Sequence, residues 1–350
     1  MHRIGIDCRF ANSPTGLGRY TREIVTHVLQ RNDAEYVLFV RDTQEEWFYR
    51  LPRHIRDQAI KTDIPHYSLQ EQILLPSILK KANIDLLFSP HFNVPLLCPV
   101  PFVVTVHDLI LHRFPNKTSW LKQFLYRCVM RHAVRRSKAI IAVSHFTAAE
   151  LKAVYGNTIT AKTVVIHEGV GNDFVPQSKE KIESVLQKYE LKKPFFLYVG
   201  NAKEHKNVQM LMDAFAELND PSKELIVISG GQEITRLHQR HGTRIIHPVR
   251  DADLPALYAS AIAFVTASLY EGFCLPVIEA AAMGCPVIAT NRAAIREVAS
   301  AGSLLIEPTV EAFAKALRNP PARAPHIDPL PFRWEDAATK IAELILAKSV

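Results

Sequence analysis

An α/β protein of two doubly wound, parallel-sheet domains is what this sequence predicts, on three observations. Short apolar runs rich in Val, Ile and Phe alternate with helical periodicity along the chain, the pattern of βαβ units whose sheet is covered on both faces. The alternation pauses at "HEGVGNDFVPQS" (167–178), where two glycines, a proline and polar residues intervene. The third observation is length, since 350 residues exceed one ordinary domain.

Taken in order, strands are expected at Arg3–Asp7, Val37–Val40, Leu86–Ser89, Phe102–Val106, Ala139–Val143 and Thr163–Ile166. Helices fill 18–30, 69–82, 117–136 and 145–155 between them. After the pause, strands resume at Phe195–Val199, Leu225–Ser229, Ile262–Thr266 and Pro286–Ala289. The proline-rich "NPPARAPHIDPLPF" (319–332) cannot be helix, whereas "WEDAATKIAELILAK" after it can. The expected boundaries are 1–172 for a first domain, 173–332 for a second, and 333–350 for a closing helix. A ligand of such sheets sits at the carboxyl ends of their strands, here expected in the cleft between domains.

Composition narrows the class. Hydrophobic residues at 48% and charged residues at 22% describe a globular protein with sizeable cores. The longest apolar runs, such as "FVVTV" and "AIAFVTA", fall short of a membrane span, and "MHRIGIDCRF" lacks the apolar core of a signal peptide. Five scattered cysteines suggest neither a disulfide framework nor a metal site, so a reducing cytosol is expected.

The net charge of +7 is unevenly spread: residues 1–170 carry 22 Lys/Arg against 14 Asp/Glu, and residues 171–350 carry 20 against 21. The stretch "KTSWLKQFLYRCVMRHAVRRSK" (117–138) has seven basic residues and no acidic one. Trp120, Phe124 and Leu125 share a helical face there. Two readings stay open: a basic amphipathic helix lying on an anionic membrane, or a surface helix whose apolar stripe packs on a sheet. No nucleic-acid reader motif surrounds the run, and a nucleic-acid partner is not expected.

The stretch "SLYEGFCLPVIEAAAMGCPVIATN" (268–291) carries the chemistry. It reads as a buried strand running into a loop at Ser268–Phe273. Pro276 then suits the first turn of a helix that Gly284 ends. Loop and first turn direct backbone N–H groups at a ligand, a ready anion site, and Gly272 allows close approach. Glu279 is expected in the first turn and Glu271 just before it, both able to accept bonds from hydroxyls. An anion flanked by two hydroxyl-binding carboxylates describes a nucleotide sugar. The plainer alternative makes Glu279 a helix-dipole acid and Glu271 a solvated one.

The E-x7-E spacing of Glu271 and Glu279 resembles the donor-site motif of the retaining glycosyltransferases of family 4 (GT4), which have the GT-B fold. "PFFLYVGNAKEHKNVQMLMDAF" (194–215), "IDCRFANSPTGLGRYTREIV" (6–25), "VVTVHDLI" (103–110), "AIIAVSHFTAAEL" (139–151) and "FRWEDAATKI" (332–341) are similar to further segments of that family, in the same order. The resemblance covers nearly the whole chain. It implies two Rossmann-like domains facing a cleft, with the closing helix crossing back to the first.

The resemblance also implies roles. Glu271 meets hydroxyls of the transferred sugar, helped by amides of Phe273, Cys274 and Leu275, and Glu279 holds the ribose diol. Lys206 counters the diphosphate as charge develops on the leaving nucleotide. Gly16 and Gly18 of "TGLGRY" bring backbone N–H groups to a phosphate or acceptor, against the simpler reading of a tight turn. Arg19 faces the acceptor, and His107, ending "FVVTVH", contacts the donor sugar. Gly200 and Asn201 open the second domain's loop, Gly230 borders the base, and His91 and Asn93 are weaker acceptor-side candidates. Two positions depart from the family: Asn201 stands where many relatives have arginine, with Lys203 placed to compensate, and Cys274 stands where glycine is usual. The backbone amide at Cys274 is expected to serve as well as a glycine's, with the thiol a spectator more readily than a reactive group.

The expected activity is thus a retaining glycosyl transfer with no cofactor and no metal. The donor is a nucleotide sugar (GDP-mannose favoured, a UDP-sugar the alternative) and the acceptor a glycan or lipid-linked glycan of polysaccharide or O-antigen assembly. The expected location is the cytoplasm, with peripheral contact at the inner membrane face. A nucleotide-sugar epimerase of the same fold and a non-catalytic nucleotide-sugar-binding subunit are the alternatives.

Overall fold

Two parallel sheets organise the chain in a computed structural model describing residues 2–31, 33–114, 119–326 and 331–349. The first holds β1 (Arg3–Asp7), β2 (Glu35–Val40), β3 (Ile60–Lys61), β4 (Leu86–Ser89), β5 (Phe102–Val106), β6 (Ala139–Ala142) and β7 (Thr163–Val165), in the order β3-β2-β1-β4-β5-β6-β7. The second holds β8 (Phe195–Val199), β9 (Glu224–Ile228), β10 (Thr243–Ile246), β11 (Ala263–Thr266), β12 (Val287–Thr290) and β13 (Leu304–Ile306), in the order β10-β9-β8-β11-β12-β13. Both repeat the doubly wound progression in which the chain starts mid-sheet, runs to one edge, then returns to build the other.

Register follows from burial. Ile4 pairs with Tyr36 on one side and Leu86 on the other, and Phe264 pairs with Val287. The central strands are buried along their length, as near-continuous apolar runs require when helices cover both faces. Phe39, Leu87, Val104 and Ile140 belong to one core of the first sheet, and Phe196, Leu211, Val265 and Ile288 to one of the second. Each such side chain contributes about 1.5–3 kcal/mol by leaving water.

The expected elements shift by small amounts at their ends. The first helix runs Gly16–Val28 rather than 18–30, and β6 stops at Ala142. Three strands were not expected: β3, with two residues, β10, with sequence TRII, and the half-buried β13. They are short or edge strands without a sustained apolar run.

The chain divides into two units, Met1–Gly169 with Phe332–Val350, and Val170–Pro331. The Trp334–Lys348 helix therefore belongs to the first unit, where Trp334 is 1% exposed and its ring meets Tyr20 edge-on at 5.9 Å. Gly169 makes room for this return: a Cβ there would lie 2.2 Å from the Trp334 nitrogen. Among the described residues, no helix is long and apolar enough to cross a membrane.

Of the basic stretch 117–138, Lys117 and Thr118 lie outside the described residues; the helix spans Trp120–Arg136 with Ser119 as N-cap. Tyr126, Met130, Ala133 and Val134 seat it on the first unit. Trp120, Phe124 and Leu125 do not pack on the sheet and are exposed.

Candidate active site

Each sheet has one point where neighbouring strands send their connections in opposite directions, β1/β4 in the first unit and β8/β11 in the second. Crevices at the carboxyl ends of such strand pairs bind ligands in open α/β sheets. The residues singled out from sequence gather at these two points.

In the second unit, β8 ends in Gly200 and Asn201. Gly200 has φ +152°, and a Cβ there would stand 3.0 Å from the Tyr198 hydroxyl. Glycine therefore relieves both backbone and packing. The Tyr198 hydroxyl donates to the Asn201 carbonyl at 2.7 Å, and Asn201 Oδ1 accepts from the Lys203 N–H. Asn201 thus builds its own turn through its carbonyl and Oδ1. Lys203 is exposed. Lys206 ends a short 3-10 turn, Glu204–Lys206, before the Val208–Ala216 helix.

The β11 loop closes on that turn. The Leu269 N–H donates to the His205 carbonyl at 2.7 Å, and Lys206 Nζ donates to both Glu271 carboxylate oxygens at 2.6 Å. Two residues assigned to separate tasks, one to the diphosphate and one to the sugar, thus form a bidentate ion pair across 65 residues of sequence. The Leu275–Ala282 helix follows, with Pro276 in its first turn and no side-chain cap at Cys274. Its N-terminus keeps the anion-attracting character expected of it.

Glu279 requires a correction. The helix starts at Leu275, so Glu279 is its fifth residue and lies in the second turn. Its side chain is 2% exposed and accepts from the Tyr258 hydroxyl at 3.0 Å, which excludes a merely solvated dipole acid. Cys274 is corrected too. Its backbone has φ +85° and ψ +67°, a left-handed conformation in which glycine is the comfortable residue. The cysteine is therefore not a neutral replacement for the family's glycine. Burial, then the Glu271 charge, pushes its thiol well above the ordinary range, so it stays protonated. Gly230 lies against the His247 ring, to which a Cβ would come within 2.5 Å.

The single Asp-x-Asp triplet, 251–253, has its own explanation. Asp253 is fully buried and meets Lys188 at 2.5 Å, Arg250 at 3.2 Å and Lys181 at 3.6 Å. These cations hold its carboxyl far below the usual range despite burial.

In the first unit, His107 leaves β5 with both ring nitrogens engaged: Nδ1 lies 2.9 Å from Glu168 Oε1 and Nε2 2.9 Å from the Pro90 carbonyl. Both partners are hydrogen-bond acceptors, so the surroundings favour the doubly protonated ring. Burial opposes that charge, but the Glu168 bond and charge prevail and raise its pKa above the ordinary histidine value. The Tyr20 ring meets His107 edge-on at 4.6 Å.

Beside it, at the β1 end, lies a buried charge cluster. Arg9 is 1% exposed and bonds Asp7 through Nε at 2.8 Å and Nη2 at 2.7 Å; the same Nη2 lies 2.7 Å from Glu71 Oε1. Asn93 Nδ2 donates to both Glu71 oxygens, at 2.8 and 3.0 Å. Asn93, an acceptor-side candidate, therefore anchors Glu71. His91 accepts from the Asn93 N–H at Nδ1 and lies 6.3 Å from the His107 ring; burial, then His107 and His66, hold it neutral. His66 stacks on Phe10 at 3.6 Å, and burial lowers its pKa to about 4.

The glycine loop divides in role. Gly16 starts the first helix and is exposed. Gly18 is buried, and a Cβ there would lie 1.9 Å from the Ser13 carbonyl oxygen, so its missing side chain serves the packing of loop on helix. Arg22 reinforces that packing by donating to the Ala11 carbonyl at 2.6 Å. Arg19 lies in the helix's first turn.

Comparison with known sequences decides the family. The profile of Glycosyltransferase Family 4 matches residues 14–174 and that of Glycosyl transferases group 1 matches residues 178–321. This chain is a family 4 glycosyltransferase. It is similar to the O-antigen chain mannosyltransferase RfbU of Salmonella typhimurium, at 26% identity over 89% of this chain and 88% of the relative. It is also similar to O-antigen chain mannosyltransferase B of Escherichia coli, at 28% over 85% and 86%. Among solved structures, the sucrose-phosphate synthase of Thermosynechococcus elongatus superposes with TM-score 0.74 at 17% identity, covering 99% of both chains. Anabaena Alr3699/HepE, in complex with UDP and glucose, does so with TM-score 0.70 at 19%, covering 99% of this chain and 97% of that one. The fold is GT-B.

Sequence reasoning about this glycosyltransferase missed Glu168, Arg9, Glu71 and Tyr258. Glu168, Glu71 and Tyr258 are each distant in sequence from the group they meet, and Arg9 joins its near neighbour Asp7 to the distant Glu71. Glu71 did leave a signal: Ser68 and Glu71 are spaced as a capping box, and Ser68 Oγ accepts from the Glu71 N–H at 3.1 Å.

Proposed function

We propose that this glycosyltransferase moves mannose from GDP-mannose, with retention and without a metal, onto a glycan or lipid-linked glycan of O-antigen-type polysaccharide. The observation that carries the reading is the Lys206–Glu271 pair beside the uncapped Leu275 helix, with Glu279 buried within it. The donor diphosphate takes the helix amides and Lys206, Glu271 accepts from sugar hydroxyls, and Glu279 from the ribose diol. The acceptor oxygen bonds to the anomeric carbon as the bond to phosphate breaks; the acceptor proton passes to the leaving phosphate, releasing nucleoside diphosphate. Lys206 and the amides stabilise the charge that develops there.

Mannose and the O-antigen setting are supported by the two bacterial relatives, matched over most of their lengths. A uridine donor is the second reading, supported by the UDP in the Anabaena structure. The exposed apolar residues of the Trp120–Arg136 helix support a cytoplasmic enzyme in peripheral contact with a membrane.

A thermal-shift panel of GDP, UDP, ADP and their sugars, each with EDTA and with Mg²⁺, tests the reading. A nucleotide at about 100 times its Kd adds roughly 2.7 kcal/mol of apparent stability. Stabilisation by GDP, indifferent to EDTA and lost in Glu279→Ala, is expected. A shift that appears only with Mg²⁺ overturns metal independence, and one confined to UDP moves the assignment to the second reading.

A further inference from the structure

Glu279 is a carboxylate in a place that ordinarily repels one. It is the fifth residue of the Leu275–Ala282 helix, and its neighbours Ile278, Ala280 and Ala282 are buried with it. A charge so enclosed is tolerated only where hydrogen bonds replace the water it loses. A glutamate side chain also turns about several bonds. The two hydroxyls of a ribose diol are received well only by a carboxylate already held in one plane. What holds Glu279 therefore bears on nucleotide binding.

Tyr258 supplies such a hold. Its hydroxyl donates to Glu279 Oε2 at 3.0 Å, across 21 residues of sequence. The phenol is itself delivered by fixed elements. Tyr258 lies in the Leu254–Ser260 helix, which has Pro255 in its first turn, and its side chain is fully buried. Its ring meets Phe264 of β11 edge-on at 5.8 Å and Phe174 at 6.1 Å. Just past the helix, Arg323 Nη2 donates to the Ala261 carbonyl at 2.6 Å and reaches the Tyr258 carbonyl at 3.4 Å. Ring and backbone are both restrained, so packing sets the place of the hydroxyl before any ligand arrives.

Packing alone does not explain why the hydroxyl is there. A phenylalanine would fill the same seat against Phe264 and Phe174, and burying a phenolic O–H is unfavourable unless it finds an acceptor. Here the acceptor is the motif carboxylate. The two motif glutamates are thus supported by different chemistry. Glu271 is gripped at both oxygens by the Lys206 cation, whereas Tyr258 offers Glu279 a neutral donor at one. A neutral donor orients a carboxylate without cancelling its charge, and a charged acceptor makes the stronger bond to an incoming hydroxyl.

We propose that Tyr258 is a positioning residue for the donor: its hydroxyl fixes the Glu279 carboxylate in the orientation that receives the ribose hydroxyls of the nucleotide. This role rests on the assignment of Glu279 to the ribose diol proposed above, and is the same for a guanosine or a uridine donor.

The test compares GDP with 2′,3′-dideoxy-GDP, and UDP with 2′,3′-dideoxy-UDP, by isothermal titration of the full chain. For the base that binds, wild type should favour the ribose form by about 10-fold or more, the worth of hydrogen bonds to a charged group. Tyr258→Phe should cut that preference by about fivefold, the worth of one ordinary hydrogen bond, and leave the affinity for the dideoxy form nearly unchanged. Glu279→Ala should abolish the preference. Adding Tyr258→Phe to Glu279→Ala should then change it no further, because the tyrosine acts through the glutamate. In transfer assays Tyr258→Phe should raise the donor KM with kcat nearly unchanged, as when binding shared by ground and transition states is lost. The phenylalanine keeps the buried ring, and near-UV circular dichroism of each variant checks the fold. A Tyr258→Phe protein that retains the full ribose preference, or that weakens ribose and dideoxy forms equally, overturns the positioning role and leaves Tyr258 a packing residue. If Glu279→Ala also retains the preference, or if wild type shows none, the assignment of Glu279 to the ribose fails as well. The two failures are thereby told apart.

Discussion

His107 shows how one side chain couples the site to pH. Its folded pKa lies above the ordinary 6.5, so its contribution to stability is complete below about 6.5 and is lost as pH rises through the folded value. The stability difference between wild type and His107→Gln should therefore shrink on going from pH 6 to pH 9 in urea titrations. A difference that grows would mean the Glu168 bond does not hold a proton on the ring. Lys206→Ala should lower kcat by about 10²–10³, the scale for removing one fixed donor at developing charge. It also leaves Glu271 buried without its cation, so a parallel Lys206→Arg variant, retaining charge, should recover stability before activity. Arg9→Met strands Asp7 and Glu71 and should cost about 3–5 kcal/mol in denaturant unfolding, with no compensating gain of hydrophobic burial.

At the scale of elements, spacing along the chain revealed what local physics controls. The strands from Arg3, Phe102 and Phe195 and the helix from His145 are read directly from apolar runs and periodicity. β10 and β13 are held by their neighbours rather than by their own composition, and so left no comparable trace. The glutamates, Lys206 and His107 were legible as motif residues. Their partners Glu168 and Tyr258 were not, because each lies tens of residues away and meets its group only through sheet topology. The glycine loop sharpens the point, since sequence offered both a ligand-facing and a packing role. Gly18→Ala, with its Cβ driven onto the Ser13 carbonyl, should lower the melting temperature by several degrees, whereas Gly16→Ala at an exposed helix start should change it little. Equal effects in calorimetry would return Gly18 to the ligand-facing reading.

For the whole molecule, duplication was the most legible feature. Two stretches of βαβ alternation became two sheets of the same winding, because each stretch can bury its strands only by covering a sheet on both faces. The charge imbalance between the halves was equally plain, and the Trp120–Arg136 helix accounts for much of it. Trp334 ties the last helix to the first unit, and Trp334→Ala should cost about 3–5 kcal/mol there. Nucleotide binding by residues of the second unit should survive that change. Loss of both together in a thermal-shift assay would show that the units unfold as one.

The placement of that last helix sets an order of birth. Residues 170–331 form a continuous second unit, whereas the first unit is interrupted and completed by Phe332–Val350. On the ribosome the later-coded unit can finish first, while the earlier one waits with the seat of Trp334 uncovered for the roughly ten to thirty seconds that translation of the intervening segment takes. A cell making this protein must therefore shelter an incomplete amino-terminal half, and its window of exposure to proteases and chaperones is set by translation speed.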